Sequence, residues 1–152
     1  MIELPESPVK VEYLIFHGLY TPPYLDPTLE TIEQWQKEKG FSEIGYNWVI
    51  TREPRIIKGR PTGIAGAHTL GGYNKNSLSC VLTGGKSTNG DRWDFNYTLG
   101  QLNLARKLAM AVKNKYPDIE ICGHRDKDDD RECPGFDVKS VLCGNAHPWG
   151  IG

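Results

Sequence analysis

The stretch "TLGQLNLARKLAMAVKNKYPDIEIC", residues 98–122, constrains the fold more than any other part of the chain. Thr98 and Gln101 stand in capping-box spacing, so hydroxyl and carboxamide can each satisfy a backbone N–H at a helix start. Leu102, Ala105, Leu108, Ala109, Val112 and Tyr116 then recur on one side of a 3.6-residue period, a continuous apolar stripe. A helix with such a stripe must bury it against another layer. "DIEIC" (118–122) reads as a short strand immediately after the helix, which makes a sheet the natural partner.

The rest of the chain supplies that sheet. "VEYLIFH" (11–17) is an apolar run closed by a His and reads as a buried strand whose last residue reaches the sheet's end. The proline-punctuated loop "GLYTPPYLDP" follows, then a second helix in "DPTLETIEQWQKEKG". Asp26 and Pro27 mark its start, Leu29, Ile32 and Trp35 its apolar face, and Gly40 its stop. "YNWVITREPRIIKGRP" alternates and turns like two strands joined by "REPR", and "SLSCVLTGG" (77–85) reads as a central strand with Cys80 as a small buried apolar group. The expected architecture is α/β: a single domain over 1–152, with a mixed central β-sheet packed by helices.

Composition narrows function by exclusion. With 38% hydrophobic and 24% charged residues and a formal charge of −1, the chain lacks the basic excess that drives nucleic-acid binding. No apolar stretch approaches the roughly 20 residues that cross a bilayer, so no membrane insertion is expected. The start, "MIELPESPVKVEYLIF", has prolines and acids where a secretory leader needs a basic region and an apolar run. Reduced thiols are therefore expected at Cys80, Cys122, Cys133 and Cys143, and burial or metal binding as their uses.

"CGHRDKDDDRECPGFD", residues 122–137, gathers one His, two Cys and nine charged residues. A catalytic metal site of the zinc type takes three protein ligands of N, S or carboxylate type and keeps one open position. His17 at a strand end, His124 just past the last strand and Cys133 beyond the charged loop are the three candidates. A loop folding back between His124 and Cys133 can aim both at one point. The spacing alone leaves open that each is a hydrogen-bonded surface His or a buried thiol. Asp128, Asp129 and Asp130 lack the spacing of a calcium loop and read as solvated, whereas Asp126 or Asp137 could accept from a ligand imidazole. Asn74 and Asn76 read as turn residues, Cys122 and Cys143 as core thiols, and His147 as an exposed tail residue.

At "IFHG", "GYNWVITREPRIIKGRP", "GAHTLGGYNKNSLSCVLTGG" and "GHRDKDDDRECPGFD" the chain resembles the zinc-dependent N-acetylmuramoyl-L-alanine amidases, the type shared by bacteriophage lysozyme-amidases and peptidoglycan recognition proteins. The matches keep order and spacing over about residues 11–140. The resemblance implies one zinc held by His17, His124 and Cys133, with Tyr46 beside the metal as a catalytic residue and His68 on the cleft wall as a substrate-binding one. Two neutral imidazoles and a thiolate would leave zinc a net positive charge, which polarises a carbonyl and acidifies water. The implied reaction cuts the amide between the lactyl group of muramic acid and L-alanine in peptidoglycan.

One position departs from the phage pattern. Where those enzymes commonly carry Lys two residues before the Cys ligand, this chain has Arg131, and the loop from His124 is one residue longer. Arginine stabilises an oxyanion with its fork of donors but does not give up a proton, so Arg131 is assigned an electrostatic catalytic role. By the same resemblance the chain is expected to be a monomeric endolysin, made in the host cytoplasm and acting on the periplasmic wall once the membrane is opened. Contact with a phage RNA polymerase is a further role seen among short phage amidases. Relatives that bind peptidoglycan without cutting it typically lack the Cys ligand, so Cys133 favours the enzyme.

Overall fold

The computed structural model describes residues 10–61, 74 and 76–143. The apolar run that opens the sheet is β1, Tyr13–Gly18, buried at every position after Tyr13. Helix α1, Leu29–Glu38, follows the proline loop, and then come β2, Trp48–Ile50, and β3, Ile56–Lys58. After β4, Ser77–Leu82, the long helix α2 spans Leu99–Lys115 and β5 spans Glu120–Gly123. A 3-10 turn at His124–Asp126 and a π-helical turn at Lys139–Cys143 complete the described chain.

The strands form one five-stranded sheet in the order β3-β2-β4-β1-β5. β4, buried at all six positions, is its centre, as the unbroken apolar run of parallel core strands requires. β2, β4, β1 and β5 run parallel, and β3 returns antiparallel to β2. Alternation along β1 sends Leu14 and Phe16 into a core shared with Leu102, Ala105, Leu108 and Val112 of α2. The smaller cluster on Val49 and Val81 takes Ile32 of α1. Each buried leucine on these faces contributes about 2 kcal/mol by its removal from water, so both helices are held by packing rather than propensity.

Both bonds of the capping box at α2 are made: the Gln101 N–H donates to Thr98 Oγ1 at 3.1 Å, and Thr98 N–H donates to Gln101 Oε1 at 2.9 Å. The same carboxamide, fully buried, donates through Nε2 to the carbonyls of Ile50 and Thr83 at 3.2 and 2.7 Å. One side chain thus caps the helix and fastens it to the ends of two strands.

Three local expectations shift. Helix α1 is capped by Thr28, whose Oγ1 accepts the N–H of Thr31 at 3.2 Å. Asp26 is drawn away because its carboxylate accepts the N–H groups of Arg52 and Glu53, both at 3.0 Å. On the inner face of α1 the buried residues are Ile32 and Gln36, while Trp35 is only half-buried. Gln36 earns that position by bonding the loop ahead of β2, described below. β5 begins at Glu120 rather than Asp118, since Ile119 N–H still closes a turn on the Tyr116 carbonyl.

Candidate metal centre

In open sheets of parallel strands, ligands gather beyond the strands' carboxyl ends. β1 and β5 are neighbours, and their register pairs Phe16 with Gly123. His17 is the next residue of β1 and His124 the first beyond β5, so the pairing brings together two imidazoles far apart in sequence. Their ring centroids lie 4.6 Å apart, close to the spacing of adjacent strands.

Cys133 reaches the same point by the fold-back of the charged loop. Lys127 and Asp128 N–H groups both close on the His124 carbonyl, and Arg131 N–H closes on that of Asp128. Arg125 N–H then donates to the Cys133 carbonyl at 2.7 Å and pulls the far end of the loop beside its start. The thiol Sγ accepts the Gly18 N–H at 3.2 Å and stands 3.9 Å from His17 Nδ1. One nitrogen from each imidazole and Sγ all fall within 4.8 Å of one another, and all three residues are at least partly buried.

The donor set and its protonation suit a divalent cation. Burial lowers the His124 pKa, with Asp128 opposing and Arg131 reinforcing, so the imidazole stays neutral and able to ligate. Its Nε2 is buried without a hydrogen-bond partner, 3.9 Å from Asp128 Oδ2. Burial pushes the Cys133 thiol up to about 12, against the Gly18 N–H and Arg131, which favour the thiolate. A cation among these three groups is the missing charge that would turn the thiol into a thiolate ligand and satisfy the cluster.

Tyr46 stands beside the cluster, its ring centroid 5.1 Å from that of His17. The loop that carries it is pinned from three directions. Gln36 Oε1 of α1 accepts the Gly45 N–H at 2.7 Å, Asn47 Oδ1 accepts the Ser79 N–H at 2.9 Å, and Asn47 Nδ2 donates to the Arg60 carbonyl at 2.9 Å. Gly59 packs so closely that a β-carbon there would meet the Tyr46 carbonyl at 2.3 Å. Burial raises the Tyr46 pKa, Cys133 adds to the rise, and Arg131 opposes it, so the phenol keeps its proton through neutral pH. Arg131 lies on the cleft rim with its side chain 58% exposed, its Nε 3.8 Å from Asp128 Oδ2.

These residues line a cleft of about 610 Å³. The structure therefore brings together His17, Tyr46, His124, Arg131 and Cys133; His68 and His147 lie outside the described residues. The carboxylate nearest His124 is neither of the two expected. Asp126 accepts the Gly123 N–H and Asp137 the Ser140 hydroxyl, both at 2.8 Å, which leaves Asp128 as the one that faces the imidazole. Its i,i+4 spacing from His124 was the available signal, hidden within a run of acids. Asn74, read as a turn residue, also lines the cleft, as do Tyr20 and Trp93. Cys122 is buried as expected, whereas Cys143 is exposed.

A family model described as N-acetylmuramoyl-L-alanine amidase matches residues 7–136. The endolysin of Enterobacteria phage T3 is 33% identical over 128 residues, covering 84% of this chain and 83% of that protein. The endolysin of Escherichia phage T7 is 32% identical over 126 residues, covering 83% of this chain and 82% of that protein. Among solved structures, wild-type Drosophila PGRP-LB aligns with a TM-score of 0.73 at 26% identity, over 96% of this chain and 89% of that chain. The family match takes in every residue of the cluster and stops short of the π-helical turn at Lys139–Cys143.

Proposed function

Since this chain belongs to the N-acetylmuramoyl-L-alanine amidase family, we propose that it is an endolysin that cuts peptidoglycan between muramic acid and L-alanine with one zinc ion held by His17, His124 and Cys133. The observation that carries the zinc reading is convergence: His17 and Cys133, 116 positions apart, and His124 from a third segment present N, N and S atoms to one point. That donor set, with an open position, is the set of a catalytic rather than a structural zinc site. When bound, the ion supplies Lewis acidity to the scissile carbonyl and acidifies water at neutral pH.

The chain's own residues do the remainder. Tyr46, a phenol that keeps its proton at neutral pH, donates from Oη to the carbonyl oxygen as negative charge develops there. Arg131 adds a second positive group from the rim, and a guanidinium holds an oxyanion without giving up a proton. Asp128 lies 3.9 Å from His124 Nε2 and 3.8 Å from Arg131 Nε, so one carboxylate sets negative charge beside both a ligand and an electrostatic group. His68 belongs to the same reading as a substrate-binding residue of the cleft wall.

The relatives named endolysins support action on the cell wall. We place synthesis in the host cytoplasm and action in the periplasm after the membrane is opened. Among the described residues no helix is long and apolar enough to cross a membrane. The test combines zinc stoichiometry with turbidity loss on outer-membrane-permeabilised cells. Free stem peptides in the mass spectrum of the products, together with about one zinc per chain, are the expected result. Intact lactyl amides in the released fragments, or full lysis by metal-free protein, would overturn the proposal.

A further inference from the structure

Next to the three converging side chains, the cleft carries an aromatic pair that the hydrolytic chemistry leaves unused. The Trp93 ring is tilted by 50° against that of Tyr20, with centroids 4.7 Å apart, and both residues line the cleft. The half-buried indole rests on three glycines from three separate segments. A β-carbon at Gly18, Gly85 or Gly135 would come within 2.7, 2.7 and 3.0 Å of its ring atoms. Gly18 follows His17 and Gly135 lies just past Cys133, so the indole is seated directly on the backbone that presents two of the three converging groups.

Tyr20 is fixed as firmly. Its hydroxyl donates to Asp91 Oδ1, and Lys86 Nζ sits 5.5 Å over its ring. It is the one non-glycine among the described residues with a left-handed backbone, at φ 63°. For a bulky side chain that conformation is unfavourable and persists only where the surroundings over-determine it, which is typical of ligand-holding sites. Among the described residues Tyr20 belongs to neither of the two apolar core clusters. Lys86 occupies one side of Tyr20, so the indole is the platform and the tyrosine its fixed wall.

We propose that Trp93 and Tyr20 form a stacking subsite for a pyranose ring of the glycan strand, adjoining the bond that is cut. The proposal rests on the amidase reading: the scissile amide hangs from a sugar through its lactyl group, so a pyranose must lie within one short linker of the reacting carbon. An aromatic face carries negative quadrupole charge and attracts the C–H groups on the face of a sugar ring, and a flat platform accepts that ring without clash.

The test compares zinc-loaded wild type with Trp93→Ala, Trp93→Phe and Tyr20→Phe on a disaccharide-tetrapeptide and on a sugar-free lactyl-peptide with the same amide. For Trp93→Ala on the disaccharide substrate, KM is expected to rise roughly tenfold, kcat to stay within about twofold, and zinc content to be unchanged. Trp93→Phe should recover most of the loss. Tyr20→Phe, which keeps the ring but loses the Asp91 bond, should fall between. On the sugar-free substrate all four proteins should be alike. Isothermal titration with the peptide-free disaccharide gives a reading independent of hydrolysis, and Trp93→Ala should abolish its binding. If Trp93→Ala fails to fold by circular dichroism, Trp93→Phe and Tyr20→Phe carry the comparison. An unchanged KM on the disaccharide substrate, or an equal rise on both substrates, overturns the subsite while leaving the amidase intact. Disaccharide binding that depends on Trp93 in a protein that cuts no amide would overturn the amidase and leave the subsite.

Discussion

Cys80, in the middle of β4, and Cys133, at the head of the cleft, are both buried thiols whose pKa burial raises. Their surroundings differ in kind. Cys80 sits among Phe16, Trp48 and Leu78 and acts as a small apolar side chain, with desolvation alone acting on its proton. Cys133 faces an imidazole 3.9 Å away, a second imidazole within the same cluster, and a backbone N–H pointed at its sulfur. Burial makes a thiol inert in the first region. In the second the same burial sets up a site that a cation would complete, because the two imidazoles are electron-pair donors and the Gly18 N–H is a partner for a thiolate.

Exchanging the two thiols breaks this comparison most sharply. Cys133→Ser should remove zinc and reduce lysis by at least about a hundredfold, since a hydroxyl does not ionise to replace the thiolate ligand. The fold should persist, because the loop is held by backbone bonds such as Arg125 N–H to the Cys133 carbonyl. Cys80→Ala should do the reverse: full zinc and full lysis, with about 1–2 kcal/mol less stability from the cavity left in the sheet. Zinc analysis and urea titration of the pair decide it; loss of lysis with Cys80→Ala would make the core thiol part of the site.

Arg131 tests whether the rim contributes charge or structure. Arg131→Ala should lower turnover by about tenfold to a hundredfold with zinc retained, the scale of a lost oxyanion donor on a partly exposed rim. Arg131→Lys should recover most of that loss if point charge is what matters. Zinc loss in the alanine variant would instead assign Arg131 to holding the loop through Asp128, its partner at 3.8 Å.

Asp128 gives a smaller effect of a different kind. Asp128→Asn removes a negative charge 3.9 Å from His124 Nε2, a charge that favours a cation at the cluster, and should weaken zinc affinity by about tenfold. Lysis should return when zinc is added in excess, which separates this variant from Arg131→Ala. Unaltered zinc affinity would mean that the carboxylate serves only the Asp130 N–H and Arg131.

The two regions also differ in how well the sequence reveals them. The core was legible because its signals are local and periodic: Thr98 and Gln101 form the capping box they spell, and the stripe from Leu102 to Val112 is buried as its spacing requires. Where a side chain has two uses, local reading chose the nearer one. Asp26 looked like a helix start but serves Arg52 and Glu53, more than 20 positions away. At the site, residue types named His17, His124 and Cys133 as candidates, but the register of β1 on β5 is what brings the imidazoles together, and no spacing encodes that. Asp128 was hidden because three consecutive aspartates look alike in a string. The turn closing on the His124 carbonyl is what selects one of them.

The edge strand that delivers His124 offers the gentlest test. Glu120 of β5 accepts from Lys127 at 3.0 Å and lies 3.4 Å from Lys139. The Lys127 bond holds its carboxyl below the ordinary 4.5, with the charges of both lysines adding and partial burial opposing. A carboxylate whose pKa is depressed on folding contributes stability above its unfolded value and loses it as pH falls through the folded one. Glu120→Gln should therefore lower stability slightly at neutral pH and flatten the decline below about pH 4.5. The effect should be small because the group is 40% exposed and its ion pairs are screened, and raising salt in the wild type should mimic part of it. If urea midpoints of the variant and wild type stay parallel from pH 7 to pH 3, the lysine pair does not anchor the strand. His124 would then depend for its position on the register with β1 and on the loop bonds to Cys133.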